Sequence, residues 1–373
     1  MPSDALIQNI GFLQLQIVTG EAGTNLRRLR QALSQLNPPK QSLLVLPELW
    51  ATGFAYGELP ALQNEIPKIY DELQELAARY DILLAGTLPE QVDGEKNMFY
   101  NTLGIVGGSG TYGPYRKHHL FPGEEAAFCE WLASSRPIST PAGTFGCMIC
   151  FDLRFPDIAR SQCQQGADML ICPAQWPIAR IHHWRSLVIA RAIENQTYIV
   201  ACNGVGKNGE QTLGGHSLIV SPAGEILHEA GENEAAEVIA IDWQVKKDAQ
   251  AHFRSFTANR YRLSAPTKLF APETCVEYVE QRSMIGQQVV YVVLEHDLSF
   301  SRAIELLEEA RQHADFLVVG LILPKQDDTL SSRNRQLLQS YAALGCVDAI
   351  FDFHELRPSS EQRLKNICLT VSH

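Results

Sequence analysis

Residues 145–160 read FGCMICFDLRFPDIAR. The apolar run at 145–151 predicts a buried β-strand. Pro156 stands where proline favours the first turn of a helix. We therefore predict a buried strand that ends at Cys150, a sharp turn, and a helix that begins at Pro156. Such a turn projects the Cys150 side chain into a cleft.

The same alternation of strands and helices extends on both sides of this stretch. Further apolar runs predict strands at 43–47, 82–86, 168–173, 198–203, 216–222 and 237–242, after a first strand near the N-terminus. Amphipathic stretches predict helices at 22–36, 65–80, 156–165 and 182–195. SPAG at 221–224 predicts a hairpin turn. This pattern predicts an α/β layered sandwich over residues 1–265.

The chain length of 373 residues predicts two domains. The irregular stretch from Ser264 to Gly286 separates them, and we predict a first domain at 1–270, a linker at 271–286 and a smaller domain at 287–373. In the second domain the pattern β-α-β-α-β predicts a small parallel sheet with right-handed crossovers. Its strands are predicted at 288–294, 316–323 and 347–353, and its helices at 301–314 and 332–345.

The composition excludes several classes of protein. An apolar fraction of 45% excludes wholesale disorder, and a net charge of −11 argues against nucleic acid or an anionic membrane as the main partner. No apolar run approaches the roughly 20 residues that a membrane-spanning helix needs. The N-terminus has no basic signal-peptide region, so we expect a cytoplasmic protein whose nine cysteines are free thiols. Cys147 and Cys150 form a C-x-x-C without a second pair, so we expect no metal site there.

Three segments place reactive groups at the ends of apolar strands. Glu48 ends the run LLVLPE, Lys117 lies in GPYRKHHLFPGEEAAF, and Cys150 lies in FGCMICFDLRFP. Alone, each is compatible with a solvated loop residue or a packing cysteine. Together they supply a thiol nucleophile, a carboxylate base and a cation for a developing oxyanion. We expect the N-terminal amides of the following helix to lower the pKa of the Cys150 thiol.

With LPELWATGF around Glu48, YRKHHLF around Lys117 and CFDLRFPDIAR around Cys150, residues 1–265 resemble the carbon–nitrogen hydrolase (nitrilase) superfamily. PAQWPIARIHHW and RAIENQTYIVACN are most similar to its ω-amidase branch, which hydrolyses the terminal amide of small α-keto acid monoamides. The resemblance implies an αββα four-layer sandwich, a subunit that forms a homodimer or a higher homo-oligomer, and a mechanism without metal or cofactor.

The resemblance also implies roles for these residues. Glu48 would deprotonate Cys150, whose thiolate attacks the amide carbonyl, while Lys117 and the backbone amide of Phe151 stabilise the oxyanion. Ammonia would leave a thioester that water hydrolyses. Several family members have a second glutamate after the lysine, and the spacing favours Glu124, with Glu125 as its immediate competitor.

A substrate that carries a remote carboxylate needs a cation in the cleft. Arg154, four residues after Cys150, is one candidate, and Arg180 in the loop after Trp176 is the other. Trp176 and Phe121 are candidates for apolar walls, although aromatic residues of this kind also serve as core.

Other polar residues near these motifs have structural interpretations. Arg191 and Glu194, spaced i and i+3 on a predicted helix, predict a salt bridge. Cys147 is expected to be an inert core residue. Four further residues are expected to shape loops or to bond within them: Asp152, Asn203, His118 and His119.

Residues 287–353 are similar to a cytidylyltransferase-like unit through VVYVVLEHDLS, ELLEEARQHADFLVVGLIL and RQLLQSYAALGCVDAIFDF. In that family an HxGH motif binds the nucleotide phosphates, but the matching positions here read Phe300-Ser301-Arg302-Ala303. We therefore expect a degenerate domain with an assembly, regulatory or vestigial ligand-binding role. Lys325 is either a phosphate-binding or a solvated lysine. Nitrile or N-carbamoyl hydrolysis, nucleotide binding by this domain and a non-catalytic scaffold remain alternative functions.

Overall fold

The computed structural model describes residues 7–132, 135–209 and 211–252, and beyond them the backbone of five strands between residues 268 and 372. The chain divides into two compact units, Met1–Asn259 and Arg260–His373. The boundary predicted near residue 270 and the linker predicted at 271–286 lie outside the described residues and stay predictions. None of the described helices combines the length and the apolar character that a membrane span requires.

The first unit contains fourteen strands and six α-helices among its described residues. The strands are β1 (Asn9–Gln14), β2 (Ser42–Val45), β3 (Leu83–Gln91), β4 (Phe99–Gly107), β5 (Gly110–Arg116), β6 (Ile138–Thr140), β7 (Gly143–Cys147), β8 (Met169–Ala174), β9 (Ile199–Asn203), β10 (Val205–Asn208), β11 (Gln211–Gly214), β12 (Leu218–Val220), β13 (Ile226–Glu229) and β14 (Ala235–Ala240). The helices are α1 (Ala22–Leu36), α2 (Leu59–Leu62), α3 (Ile66–Tyr80), α4 (Pro156–Gln164), α5 (Ile181–Asn195) and α6 (Trp243–His252).

Two six-stranded sheets form the centre of this unit. Their strand orders are β14-β1-β2-β3-β4-β5 and β13-β12-β9-β8-β7-β6, and β10 and β11 form a separate hairpin. In each sheet three neighbouring central strands run parallel, β1 to β3 in one and β7 to β9 in the other. The loops that follow these strands therefore gather at one edge of each sheet, which is where α/β proteins place their sites.

Side-chain alternation along β2 shows how the layers form. Leu43 and Val45 pack in one core cluster with residues of the second sheet, whereas Leu44 packs in another cluster with α1 and α3. Successive side chains of a strand point to opposite faces, so a strand that is apolar at every position is covered on both sides. Since α4 and α5 cover the second sheet, the layers are helix, sheet, sheet, helix, as predicted.

The predicted helices are confirmed by their buried stripes. In α3, Ile66, Ile69, Leu73, Leu76 and Ala77 are buried, a spacing of three and four residues that places them on one face. This helix ends where Asp81 adopts a left-handed conformation with φ of 56°. The SPAG hairpin is also confirmed, because the backbone N–H of Ser221 donates to the carbonyl oxygen of Glu225 at 2.8 Å between β12 and β13.

The strand predicted at 145–151 is too long, and the prediction that it ends at Cys150 is wrong. The strand β7 ends at Cys147, and a 3₁₀ helix occupies Cys150–Arg154. The physical reason is local, because the Asp152 carboxylate accepts the backbone N–H of Ile149 at 3.1 Å and so turns the chain before Cys150. The helix predicted to begin at Pro156 does begin there.

The second unit contains a five-stranded sheet in which every pair is parallel. Its strands are β15 (Lys268–Leu269), β16 (Val289–Glu295), β17 (Phe316–Ile322), β18 (Ala349–Asp352) and β19 (Leu369–Ser372), in the order β15-β18-β17-β16-β19. The three predicted strands and their parallel pairing are confirmed, and the two edge strands, β15 beside β18 and β19 beside β16, are additional. The predicted helices, Phe300–Ala303 and Lys325 lie outside the described residues, and the cytidylyltransferase-like resemblance stays a prediction.

Candidate active site

The candidate site lies where the loops after β2, β5 and β7 meet. Lys117 directly follows β5, and Glu48 and Cys150 each follow their strand by three residues. Cys150 and Glu124 line a cavity of about 380 Å³. Glu48 and Lys117 have no exposed surface and lie behind this lining. The structure therefore brings together four of the residues that the sequence singled out.

Lys117 is held between two carboxylates. Its Nζ donates to Glu48 Oε1 at 2.7 Å and to both carboxylate oxygens of Glu124 at 2.8 Å. Glu124 also accepts the backbone N–H of Phe121 at 3.0 Å. Glu125 is exposed and accepts the backbone N–H of Gly123 instead. The contact with Lys117 thus falls on Glu124, the glutamate that the spacing favoured.

The protonation of this cluster follows from burial and charge. Burial lowers the pKa of the Lys117 ammonium, but the carboxylates of Glu48 and Glu124 outweigh burial and hold that pKa well above its ordinary value. Burial raises the pKa of the Glu124 carboxyl, while the Lys117 ammonium lowers it and the Glu48 carboxylate raises it, with a net upward shift. The lysine is therefore a fixed cation at neutral pH.

Glu48 is held by groups from both sheets. Asn101, on β4, donates to its Oε1 at 2.8 Å. The backbone N–H of Gln175, just after β8, donates to its Oε2 at 3.2 Å, and the Gln175 side chain donates to its backbone carbonyl at 2.8 Å. These hydrogen bonds fix the orientation of the Glu48 carboxylate, because both of its oxygens accept from donors of the surrounding chain.

Cys150 adopts a left-handed backbone conformation with φ of 47°. For a residue other than glycine this conformation costs about 1–2 kcal/mol, and such strain is concentrated at functional sites. The thiol lines the cavity although the residue is only 9% exposed.

The prediction that helix amides lower the pKa of the Cys150 thiol is wrong. Burial raises this pKa well above its ordinary value, the Glu48 carboxylate raises it further, and Lys117 lowers it only in part. The resting group is therefore a thiol rather than a thiolate. A neighbouring base must take its proton when it reacts.

Both candidate arginines line the cavity, together with Phe151, Trp176 and Phe121. The guanidinium of Arg154 lies 4.7 Å from the centre of the Trp176 ring, and that of Arg180 lies 5.4 Å from the centre of the Phe121 ring. Within the described residues neither guanidinium forms an ion pair with an acid. Trp176 is buried and its Nε1 donates to the Arg180 carbonyl at 2.9 Å. Arg154 Nη2 also lies 3.4 Å from His183 Nδ1. The arginine side chains are thus supported by aromatic faces, and neither has its charge neutralised by an acid within the described residues.

Sequence reasoning missed several residues that line this cavity. Tyr56 lies eight residues after Glu48, and burial together with the Glu124 and Glu48 carboxylates raises the pKa of its hydroxyl. Asn208 reaches the cavity from the β10–β11 hairpin and donates to Gln175 Oε1 at 3.1 Å. Tyr56 lies two residues after the end of the LPELWATGF motif at Phe54, which was a usable signal. No local pattern indicates that the hairpin folds over the site.

The residues for which we predicted structural roles make structural contacts. Arg191 donates to Glu194 Oε1 at 3.0 Å and to the backbone carbonyl of Leu153 at 2.7 Å, which confirms the predicted salt bridge. Cys147 is buried in the core. Over the described residues, no three histidine, cysteine or acidic side chains are arranged to hold a metal ion.

Comparisons with known proteins agree with this arrangement. The family model for carbon-nitrogen hydrolases matches residues 9–248, more than half of the chain. The chain is 33% identical over 239 residues to the 2-oxoglutaramate amidase of Bacillus subtilis (strain 168), which covers 63% of this chain and 91% of that protein. It is 33% identical over 269 residues to the omega-amidase YafV of Yersinia enterocolitica, which covers 68% of this chain and 93% of that protein.

Solved structures show the same fold. The crystal structure of a carbon-nitrogen hydrolase from Helicobacter pylori G27 superposes with a TM-score of 0.62 at 24% identity, over 68% of this chain and 95% of that one. The C. elegans NitFhit protein superposes with a TM-score of 0.63 at 26% identity, over 69% of this chain and 66% of that one. The protein is therefore a hydrolase that acts on carbon–nitrogen bonds other than peptide bonds, and it belongs to the carbon-nitrogen hydrolase family.

Proposed function

We propose that the protein is an amidohydrolase that uses Glu48, Lys117 and Cys150 to hydrolyse a small amide through a thioester. One observation carries the proposal. The Lys117 ammonium lies 2.7 Å from the Glu48 carboxylate, and the charges of both residues act on the thiol of Cys150 at the cavity wall. A nucleophile, a base and a fixed cation are the parts that acyl transfer requires.

In the first half-reaction Glu48 takes the proton from Cys150 Sγ as the sulfur attacks the amide carbonyl carbon. The carbon–sulfur bond forms, and the carbonyl π electrons move to oxygen. The Lys117 ammonium and the backbone N–H of Phe151 stabilise this oxyanion. When the oxyanion collapses, the carbon–nitrogen bond breaks, Glu48 returns its proton to the leaving nitrogen, and ammonia departs from the thioester.

In the second half-reaction Glu48 takes a proton from water, whose oxygen attacks the thioester carbonyl carbon. The carbon–sulfur bond breaks, the acid product is released, and the proton returns to the Cys150 sulfur. Glu124 maintains the site through both steps, because its two contacts at 2.8 Å keep the Lys117 ammonium charged and oriented.

The proposed substrate is the ω-amide of a small α-keto dicarboxylic acid, such as 2-oxoglutaramate or 2-oxosuccinamate. Arg154 and Arg180 line the cavity together with Cys150 and have no acid partner among the described residues. A cavity of about 380 Å³ accommodates a small metabolite. The names 2-oxoglutaramate amidase and omega-amidase of the similar proteins support the same substrate class.

The test is incubation of the full chain with 2-oxoglutaramate, 2-oxosuccinamate, a nitrile and an N-carbamoyl compound of matched length. Ammonia release is measured, and the acyl-enzyme is trapped for intact-mass analysis. We expect ammonia from the two ω-amides and a mass adduct on Cys150 that Cys150→Ala lacks. Release from the nitrile alone, or release of carbon dioxide together with ammonia, would replace the amidase assignment by nitrilase or carbamoylase activity.

A further inference from the structure

Asp152 is a buried acid next to the proposed site, and the proposed chemistry does not use it. Its side chain has no exposed surface. It lies in the 3₁₀ helix that begins at Cys150, and it faces the loop that carries Lys117. A buried carboxylate is unfavourable unless donors surround it, so its partners reveal what holds it there.

Four donors surround this carboxylate, two on each oxygen. Oδ2 accepts the backbone N–H of Ile149 at 3.1 Å and the hydroxyl of Tyr115 at 2.9 Å. Oδ1 accepts the backbone N–H of His119 at 2.9 Å and lies 3.1 Å from His119 Nδ1. With Nδ1 protonated, every contact is a charge-assisted hydrogen bond.

These partners flank two residues of the proposed site. Tyr115 and His119 lie two residues before and two residues after Lys117, and Ile149 directly precedes Cys150. One carboxylate therefore holds the chain on both sides of the lysine and at the entry to the strained turn of the cysteine. The backbone N–H of Asp152 also donates to the Ile149 carbonyl at 3.0 Å, which closes that turn.

We infer that Asp152 is a positioning residue that sets the placement of the Cys150 thiol relative to the Lys117 ammonium. The inference rests on the proposed function, in which both groups act on one carbonyl. Asp152 acts through the backbone and does not touch the substrate. A carboxylate is required because both oxygens accept two donors. In Asp152→Asn an NH₂ group faces a backbone N–H donor whichever way the amide is turned, either that of Ile149 or that of His119.

The experiment compares Asp152→Asn with Asp157→Asn, a matched change at an exposed acid of α4. Steady-state kinetics with 2-oxoglutaramate give kcat and KM, and mass analysis of the peptide that contains Cys150 gives the rate at which iodoacetamide alkylates this one of the nine cysteines. Misplacement of reacting groups by about 1 Å costs about 100-fold in rate. We therefore expect Asp152→Asn to lower kcat by about 100-fold with KM nearly unchanged, and to slow alkylation, while Asp157→Asn matches the wild type.

Two outcomes overturn the inference. One is an Asp152→Asn protein with wild-type kcat and alkylation. The other is a loss of activity that only follows the folded fraction measured by circular dichroism. If Asp152→Asn does not fold, Tyr115→Phe tests the inference instead, because it removes the hydroxyl that donates to Asp152 and keeps the aromatic ring. A fall in kcat of about tenfold at constant KM supports positioning, since one hydrogen bond is worth about that factor. Unchanged kcat with a lowered Tm contradicts it.

The alkylation rates also separate this inference from the proposed function. If the wild type releases no ammonia from any ω-amide, the proposed substrate fails. The effect of Asp152→Asn on Cys150 alkylation then still shows whether Asp152 places the thiol.

Discussion

The inner end and the mouth of the cavity hold their charged groups in opposite ways. At the inner end Lys117 and its two glutamates are buried and paired with one another. At the mouth Arg154 and Arg180 are half-buried, rest on aromatic rings and pair with no acid among the described residues. Groups fixed before the substrate arrives suit a reaction with strict geometry, whereas guanidinium groups without an acid partner suit the capture of an anion. The comparison separates the chemistry from substrate selection.

The largest expected effect is that of Cys150→Ala at the inner end. Without the thiol no thioester forms, so ammonia release should fall to the background. The fold should persist, because the change removes one sulfur atom at the cavity wall. Ammonia release and thermal unfolding measure the two properties. Retained turnover would remove Cys150 from its proposed role and leave the inner end without a nucleophile.

Lys117→Met should have the next largest effect and act on two properties at once. Loss of the oxyanion cation should lower kcat by about 10²–10³-fold. Loss of the buried cation should also lower the free energy of unfolding by about 3–5 kcal/mol, because Glu48 and Glu124 are left facing each other. Single-turnover kinetics and urea denaturation measure these changes.

Lys96→Met is the control for this prediction, because Lys96 is exposed. The double variant Lys117→Met/Glu124→Gln should recover part of the lost stability and none of the lost activity. Recovery of activity in the double variant would show that the ammonium serves only to neutralise the glutamates.

At the mouth, Arg154→Gln and Arg180→Gln should change selectivity more than chemistry. A charge-assisted hydrogen bond is worth about 1.5–3 kcal/mol, so kcat/KM for 2-oxoglutaramate should fall by about 10–100-fold, chiefly through KM. A neutral amide of the same length should be hydrolysed as by the wild type. Arg185→Gln is the control, because Arg185 already pairs with Glu229 at 2.9 Å. Equal losses of kcat/KM for the charged and the neutral amide would show that the two arginines do not select the substrate by its charge.

The smallest expected effect concerns pH and His119. Its hydrogen bond to Asp152 raises the pKa of the His119 imidazole in the folded protein, and burial opposes this in part. Because the pKa of His119 is higher in the folded protein than in the unfolded chain, where it is about 6.5, its bond to Asp152 stabilises the fold fully at pH values below that unfolded pKa. This stabilisation is lost as the pH rises through the pKa that His119 has in the folded protein. Because the ring is one-third exposed, solvent screening keeps the effect small.

Thermal unfolding of the wild type and of His119→Gln, at pH values below and above the pKa of His119 in the folded protein, measures this contribution to stability. The difference in Tm between the two proteins should be larger on the acidic side of the transition. A difference that grows toward alkaline pH would contradict the assigned pKa direction.

Much of the fold was predictable because its signals are local. The helices at 22–36 and 65–80 follow from apolar residues spaced by three and four positions, and the structure places α1 and α3 within one residue of these bounds. The end of β7 was missed, because the apolar run continues through Phe151. The turn before Cys150 is held by bonds between Ile149 and Asp152, and the apolar pattern does not register them.

The residues of the candidate site also fall into two groups, those that the sequence indicates and those that it does not. Glu48, Lys117 and Cys150 stand out because a rare combination of residue types follows apolar strands. Gln175 and Asn208 carry no comparable signal. Asn208 reaches the cavity only because the β10–β11 hairpin packs beside it, a contact between positions far apart in the chain.

The order of residues alone determined the helices and strands of the first unit, and it singled out the three reactive groups of the proposed mechanism. The reason is that periodicity and residue chemistry are properties of short segments. Tertiary structure decided which glutamate contacts Lys117 and that the Cys150 thiol rests protonated. Both depend on burial and on distances between charges from separate strands, and only the folded chain sets those distances.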